Sequence, residues 1–156
     1  MLVMIKDMFK VDLINLNVSV SDEAQLFDLV GMNAIEKGVA ELGYITGLEK
    51  RELSYPTGLQ FPEISIALPH VDSKYIKKPF IYIARNKEVL NVKQMGDAAD
   101  MSTRDFLFLG IKDGSKQPQL LASMMSAFQD GDFVRKFKDT KTEEEMYQLV
   151  VNTFEE

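Results

Sequence analysis

The order of the predicted elements indicates an α/β (α+β) fold in which helices flank a mixed β-sheet. Short apolar runs bounded by turn residues fill the middle of the chain and predict strands, while apolar residues near both ends recur at helical spacing. No repeat or Pro/Gly/Ser-rich linker divides the 156 residues, so we predict a single domain over residues 1–156. The predicted order is β-α-α-β-β-β-β-α-α-α.

The N-terminal third predicts one strand and two helices. Val11–Val18 has the length and apolar character of a strand. A helix follows, with Ser21 as its predicted N-cap and Gly43 as its predicted C-terminal stop. A shorter helix is predicted over 45–54, and the residues Tyr55-Pro56-Thr57-Gly58 are typical of a turn. Apolar positions at helical spacing in the first helix are Phe27, Val30, Ala34, Ile35, Val39 and Leu42.

Four strands are predicted in the middle of the chain. Ile64–Leu68 is apolar and stops at Pro69-His70. Phe80–Ala84 and Glu88–Lys93 are separated by three polar residues, which favours two strands of a hairpin. Phe106–Ile111 is apolar throughout, as expected for a strand that is covered on both faces.

The last third predicts three helices. Ser115 is the predicted cap of the first, where Pro118 is tolerated because it lies in the first turn. Thr142 and Glu145 have the spacing of a capping box and predict the start of the last helix. The apolar residues expected on the inner faces of the three helices are Leu120, Leu121, Met124, Met125, Phe128, Phe133, Val134, Phe137, Met146, Leu149, Val150 and Phe154.

Composition excludes several kinds of site. The chain has no cysteine and one histidine, which rules out disulfides, iron–sulfur clusters, thiolate zinc sites and multi-histidine metal centres. Its 18 basic and 24 acidic residues give a net charge of −6, without the basic footprint of a nucleic-acid-binding protein. No apolar stretch is long enough to span a membrane or to form a signal peptide, so we expect a cytoplasmic protein without direct membrane insertion.

One residue stands out once the common catalytic signatures are found missing. GxxxxGK[ST], GxGxxG, GxSxG and HExxH are all absent. His70, the only histidine, follows a predicted buried strand and is held on a constrained loop by Pro69. A lone histidine is often structural, but an imidazole can also carry a phosphoryl group without any metal ligand from the protein.

The residues around His70 resemble a known signature. Arg51-Glu52-Leu53, Tyr55-Pro56-Thr57-Gly58-Leu59 and Ile66-Ala67-Leu68-Pro69-His70 resemble the REx…PTG…(A)IPH pattern of the enzyme IIA (EIIA) components of the phosphoenolpyruvate-dependent sugar phosphotransferase system. Within that system they are similar to the fructose/mannitol (type 2) superfamily and its galactitol-like branch. Met95-Gly96 and the run 117–121 resemble further segments of the same family.

The resemblance covers about residues 10–154 and implies the type-2 EIIA fold. It implies a phosphocarrier that accepts a phosphoryl group from phospho-HPr on His70 and passes it to the cysteine of an enzyme IIB (EIIB). The sugar is then phosphorylated as the membrane component EIIC takes it up. The resemblance implies no cofactor and no metal. It does not identify the sugar, because EIIA does not contact it in this family.

The same resemblance assigns supporting roles. Arg51 matches the signature arginine, whose planar guanidinium suits a dianionic phosphoryl group, although a helix-end arginine paired with an acidic neighbour is the structural alternative. Thr57 and Gly58 match the PTG turn and shape the loop, with the Thr57 hydroxyl as a second candidate for a phosphate contact. Gln117 lies where many relatives outside the galactitol branch have a second histidine, and glutamine does not titrate.

A partner surface and two alternative functions complete the expectations. Leu59, Phe61 and Pro62, on the loop before His70, are candidates for contact with HPr and EIIB, with core packing as the alternative. The first alternative function is a regulatory EIIA-like domain whose phosphorylation state controls a transcriptional or metabolic partner. The second is a binding module in which His70 is structural. The sugar, the oligomeric state and the phosphorylated ring nitrogen stay open at this point.

Overall fold

The computed structural model describes residues 4–155, which form five strands and five α-helices. The strands are β1 (Phe9–Val18), β2 (Gly58–Gln60), β3 (Ser65–Ala67), β4 (Phe80–Lys93) and β5 (Asp100–Gly110). The helices are α1 (Glu23–Glu36), α2 (Tyr44–Ser54), α3 (Gln117–Gln129), α4 (Gly131–Asp139) and α5 (Glu143–Thr153). Short 3₁₀ turns cover Ile5–Met8, Ser73–Tyr75 and Gly114–Lys116.

The five strands form one mixed sheet in the order β1-β4-β5-β3-β2. β1 is parallel to β4 and β3 is parallel to β5, whereas the pairs β4–β5 and β2–β3 are antiparallel. This arrangement confirms the predicted fold class.

Helices cover both faces of the sheet. Successive side chains of a strand point to opposite faces, and β4 follows this alternation closely. Ile81 and Ile83 pack in a core with α3, α4 and α5, while Phe80 and Tyr82 pack in a second core with α1 and α2. Because both faces are covered, the start of β4 reads as a continuous apolar run.

The first helix ends earlier than predicted. Its N-cap is Asp22, whose side chain accepts a hydrogen bond from the Gln25 N–H, and not Ser21. The helix ends at Glu36 because Gly38 adopts a φ of +76°, the left-handed conformation that closes helices at low cost for glycine. Gly43, the predicted stop, instead precedes α2.

The predicted hairpin over residues 80–93 is wrong, because these residues form the single strand β4. Its pairing with β5 runs through both halves and shifts register between Arg85 and Leu90. Asn86 holds this bulge: its side chain accepts from the Val20 N–H and donates to the carbonyls of Val20 and Glu88. Polar residues at a bulge resemble turn residues in the sequence, which explains why a hairpin was predicted here.

Two further differences concern strands. β5 begins at Asp100, ahead of the predicted Phe106, and the short strand β2 was not predicted. The element order still agrees with the prediction, because the additional β2 replaces the strand lost when two predicted strands merged into β4.

The C-terminal helices agree with the predictions, except that Lys116 and not Ser115 is the N-cap position of α3. Thr142 caps α5 by accepting from the Glu145 N–H. Most of the predicted inner-face residues are buried, whereas Leu121, Met125 and Leu149 are half-buried. Within residues 4–155, no helix has the length and apolar character needed to cross a membrane.

Candidate functional site

His70 lies where β3 leaves the sheet. Pro69, which precedes it, accepts a hydrogen bond from the Leu109 N–H at 2.9 Å through its carbonyl oxygen. His70 itself forms an isolated parallel bridge with Leu109 of β5. The residue is only 5% exposed, so its backbone and ring are held against the end of the sheet.

One hydrogen bond distinguishes the two ring nitrogens of His70. The distance from Nδ1 to the carbonyl oxygen of Leu68 is 2.7 Å. A carbonyl oxygen can only accept, so Nδ1 carries the proton and donates it to this bond. In the neutral ring, Nε2 then holds a lone pair and is the nucleophilic nitrogen.

The surroundings keep this imidazole neutral. Burial lowers the pKa of His70 from its ordinary value of 6.5, and the positive charge of Arg51 lowers it further, against the opposing effect of the Leu68 carbonyl. A neutral ring near pH 7 is the form in which Nε2 is free to attack.

Arg51, on α2, places a positive charge near His70. Its Nη1 lies 3.6 Å from Oδ1 of Asp72, and its guanidinium carbon lies 4.7 Å from the centre of the Tyr55 ring. Its Nε is buried and has no hydrogen-bond partner among residues 4–155. An unpaired buried donor is unfavourable, so the guanidinium has unused capacity for an anion.

Thr57 and Gly58 shape the segment that leads to the sheet. The Thr57 hydroxyl is buried and donates to Glu52 Oε1 at 3.0 Å, so a phosphate contact would require this bond to change. A Cβ on Gly58 would lie 2.5 Å from the carbonyl oxygen of Lys93. Only glycine permits this close approach of two backbones without movement of the chain.

Gln117 is the first residue of α3 and is half-buried. In the described part of the chain, its side chain forms no hydrogen bond with His70 or Arg51 (hydrogen bonds at the site involve Leu68 and Glu52). The role that the family resemblance gives to Gln117 stays a prediction.

Of the three residues predicted to form a partner surface, two pack inward and one is exposed. Leu59 and Phe61 are half-buried and pack against the core beneath α3, where the Phe61 and Phe128 rings lie 6.1 Å apart. Pro62 is exposed. Two large exposed side chains on or just after α2 were not predicted: Tyr55, at 64% exposure, stacks on Arg51, and Leu53, at 86% exposure, lies at the edge of a cleft on the side of α1.

The sequence analysis gave no role to two acidic residues beside the site. Asp72, two residues after His70, is the acidic neighbour of Arg51. Glu52, next to Arg51 in the chain, is 8% exposed and accepts hydrogen bonds from Thr57. The sequence signal for Glu52 was its place in the REx…PTG pattern. A glutamate next to an arginine on a helix is usually exposed, so the pattern did not indicate that Glu52 is buried.

A cleft of about 780 Å³ lies between α1, α2, the C-terminal end of β4 and the N-terminal end of β5. Glu23 and Glu52 both line it. Burial raises the pKa of Glu23 to about 8, helped by the charge of Glu52, and burial raises the pKa of Glu52 to about 7 against the hydrogen bonds from Thr57. The two carboxyl groups therefore titrate near neutral pH.

Comparison with known proteins identifies one family. The family model for EIIA 2 of the phosphoenolpyruvate-dependent sugar phosphotransferase system matches residues 7–153. The galactitol-specific EIIA component of Escherichia coli K12 is 26% identical over 117 residues, which are 75% of this chain and 78% of that protein.

Two solved structures have the same fold at lower identity. The E. coli complex of mannitol enzyme IIA with phosphorylated mannitol enzyme IIB matches with a TM-score of 0.74 and 19% identity, covering 92% of this chain and 99% of that one. The nitrogen regulatory protein IIA-Ntr of Neisseria meningitidis matches with a TM-score of 0.73 and 17% identity, covering 94% and 98%. At these identities the likeness extends to the fold only.

Proposed function

The chain belongs to the EIIA 2 family of the phosphoenolpyruvate-dependent sugar phosphotransferase system, and we propose that it carries the phosphoryl group on Nε2 of His70. The observation that carries the proposal is the 2.7 Å contact from Nδ1 of His70 to the Leu68 carbonyl oxygen. It commits one ring nitrogen to donation and leaves the other with a lone pair.

The proposed phosphoryl transfer requires no proton to move to or from His70. The Nε2 lone pair attacks phosphorus, an N–P bond forms, and the N–P bond of the donor phosphohistidine breaks, leaving a neutral donor imidazole. The phosphorylated His70 ring keeps its Nδ1 proton and becomes positively charged. The Leu68 carbonyl oxygen, which accepts from Nδ1–H, stabilises that charge as it develops.

The second half of the cycle reverses these roles. An attacking thiolate of the acceptor forms an S–P bond while the N–P bond on His70 breaks. The bond electrons return to Nε2 and restore the neutral ring with its Nδ1 proton, so no separate general acid is needed for the leaving nitrogen. Arg51 lies close enough for its charge to act on His70, and its unpaired Nε suits a phosphoryl oxygen.

The partners follow from the family. We propose phospho-HPr as the donor and the cysteine of a galactitol-type EIIB as the acceptor, with membrane EIIC served indirectly from the cytoplasm. The galactitol-specific EIIA relatives and the solved complex of mannitol enzyme IIA with phosphorylated enzyme IIB support this assignment. The exposed Tyr55, which contacts Arg51, and the exposed Pro62 are the apolar side chains proposed for docking.

The test is phosphorylation by phosphoenolpyruvate, enzyme I and HPr. We expect one acid-labile, base-stable phosphoryl group per chain on the wild type, with ³¹P and ¹⁵N spectra that assign it to Nε2. The His70→Ala variant should not be labelled, because no other histidine is present. Labelling of His70→Ala equal to that of the wild type would refute the proposal.

A second experiment separates a transport carrier from a regulatory one. The isolated phosphorylated protein is mixed with a galactitol-type EIIB and, separately, with the same EIIB lacking its active-site cysteine. Loss of label from His70 to the intact EIIB alone supports the transport role. If label stays on His70 in both mixtures, the regulatory alternative is favoured.

A further inference from the structure

A buried carboxylate lies beside the proposed site without belonging to it. Glu52 follows Arg51 on α2, but only 8% of its surface is exposed. Its carboxyl group bonds to Thr57 at the wall of the cleft between α1 and α2, whereas Arg51 reaches Asp72. Burying a carboxylate is costly unless its oxygens are well paired, so the hydrogen bonds of Glu52 decide whether it is tolerated at this position.

The carboxyl group of Glu52 pairs with both hydrogen-bond donors of one residue. Its Oε2 accepts from the Thr57 N–H at 2.8 Å, and its Oε1 accepts from the Thr57 hydroxyl at 3.0 Å. Thr57 is 1% exposed, so water does not offer these donors an alternative partner. The two bonds fix the orientation of Thr57 at the end of the turn that leads into β2.

Thr57 is in turn bonded to the chain that carries His70. Its carbonyl oxygen accepts from the Leu68 N–H at 3.2 Å, next to the antiparallel pairing of Gly58 with Ala67. The Leu68 carbonyl oxygen then accepts from Nδ1 of His70 at 2.7 Å. Three consecutive contacts therefore join the buried carboxylate to the imidazole.

Pro69 makes this anchoring necessary. The peptide unit that contains the Leu68 carbonyl has proline as its nitrogen side, so it has no N–H with which to hold itself in place. The bonds that flank it hold it in place: the Leu68 N–H donates to the Thr57 carbonyl before it, and the Leu109 N–H donates to the Pro69 carbonyl after it. Movement of Thr57 would therefore turn the carbonyl on which the His70 tautomer depends.

We propose that Glu52 is a positioning residue for phosphoryl transfer at His70, acting through Thr57 and Leu68 to keep the proton on Nδ1 and the lone pair on Nε2. The inference rests on the proposed function of His70. Glu52 contacts neither the imidazole nor the transferred group. It supplies the rigid acceptor pair on which the turn and the Leu68 carbonyl are aligned.

The experiment compares Glu52→Ala, Glu52→Gln and the control Glu49→Gln. Glu49 lies on the same helix and lines the same cleft, but it is exposed and forms no hydrogen bond with Thr57. The first readout is the ¹⁵N spectrum of His70 in the unphosphorylated protein, which reports the populations of the two tautomers. The second is the rate of phosphoryl transfer from phospho-HPr.

Glu52→Ala should raise the population of the Nε2–H tautomer and slow transfer about tenfold, the effect expected from losing one well-placed hydrogen bond. Glu52→Gln should restore most of both, since its amide oxygen can accept from the Thr57 N–H. Glu49→Gln should resemble the wild type. If Glu52→Ala is folded and has the wild-type tautomer and rate, the proposal is wrong.

A double-mutant cycle keeps the proposal testable if Glu52→Ala does not fold. Thr57→Val removes the hydroxyl donor, and Glu52→Gln removes the charge and replaces one of the two acceptor oxygens with an NH2 group. Coupling between the two changes in the tautomer population supports an effect of Glu52 through Thr57, and strict additivity contradicts it. The tautomer is read without phosphorylation, so failure of the wild type to accept phosphate would refute the proposed function alone.

Discussion

At the scale of single residues, the tautomer of His70 depends on one backbone carbonyl. The Leu68 oxygen holds the Nδ1 proton, and burial keeps the ring uncharged, so both the tautomer and the charge state favour attack by Nε2. The presence of a lone histidine after Pro69 was evident from the sequence. Which ring nitrogen lacks the proton was not evident, because it depends on where a carbonyl group two residues earlier points in space.

Arg51 offers a test that separates charge from shape. Arg51→Lys keeps the positive charge but loses the planar fork, and we expect transfer to His70 to slow by about tenfold to a hundredfold. Arg51→Met also removes the charge that lowers the pKa of His70, so that pKa should rise in an NMR titration. Lys50→Met, the exposed neighbour, is the control and should change neither quantity. An unchanged rate in Arg51→Lys would exclude a forked contact with the phosphoryl group.

At the scale of elements, the strand β4 illustrates how a polar residue can belong to a strand. The segment Arg85-Asn86-Lys87 predicts a turn by composition, yet Asn86 is 1% exposed and pairs with the backbone at Val20 and Glu88. Its side-chain hydrogen bonds lie where the register between β4 and β5 shifts. Local composition cannot distinguish a turn from a bulge whose polar groups are satisfied by a distant segment.

Asn86→Ala should destabilise the fold by about 1–3 kcal/mol, because three partly buried backbone groups lose their hydrogen-bond partner. Asn91→Ala, an exposed position on the same strand, is the matched control and should stay within about 0.5 kcal/mol of the wild type. The measurement is the urea midpoint at constant m-value. A loss no larger than that of the control would mean that water replaces the Asn86 contacts.

At the scale of the whole molecule, the helices on the two faces of the sheet have different structural roles. α3, α4 and α5 complete one core, whereas α1 and α2 cover the other face and also supply the charged residues beside the site. α2 carries Arg51 and Glu52 on different sides of the same turn, so one helix serves both the proposed phosphate contact and the positioning of the loop. The cleft between α1, α2 and the sheet contains the carboxyl groups of Glu23 and Glu52.

Because of these carboxyl groups, we expect the free energy of unfolding to depend on pH. Folding raises the pKa of Glu23 from 4.5 to about 8, so near neutral pH the folded chain binds protons that the unfolded chain has lost. Stability therefore falls as pH rises towards 8, whereas His70, whose pKa is lowered, has the opposite effect at lower pH.

The variant Glu23→Gln isolates this effect, because it keeps His70 and removes one carboxyl group. We expect its Tm relative to the wild type to increase with pH and to reach about 2–4 °C at pH 9, equivalent to about 1 kcal/mol after allowance for partial solvent screening. Glu49→Gln, exposed on the neighbouring helix, should show no such trend. A constant Tm difference between wild type and Glu23→Gln from pH 6 to pH 9 would contradict the assignment.

The amino-acid sequence by itself determined the family, the fold class and the position of the single imidazole, because these depend on residue types and on spacing along the chain. Only the tertiary structure decided which ring nitrogen is free, that Leu59 and Phe61 pack inward, and that Glu52 is tied through Thr57 and Leu68 to His70. These features arise where strands and helices distant in sequence meet. A hydrogen bond of 2.7 Å depends on directions in space that residue types do not specify.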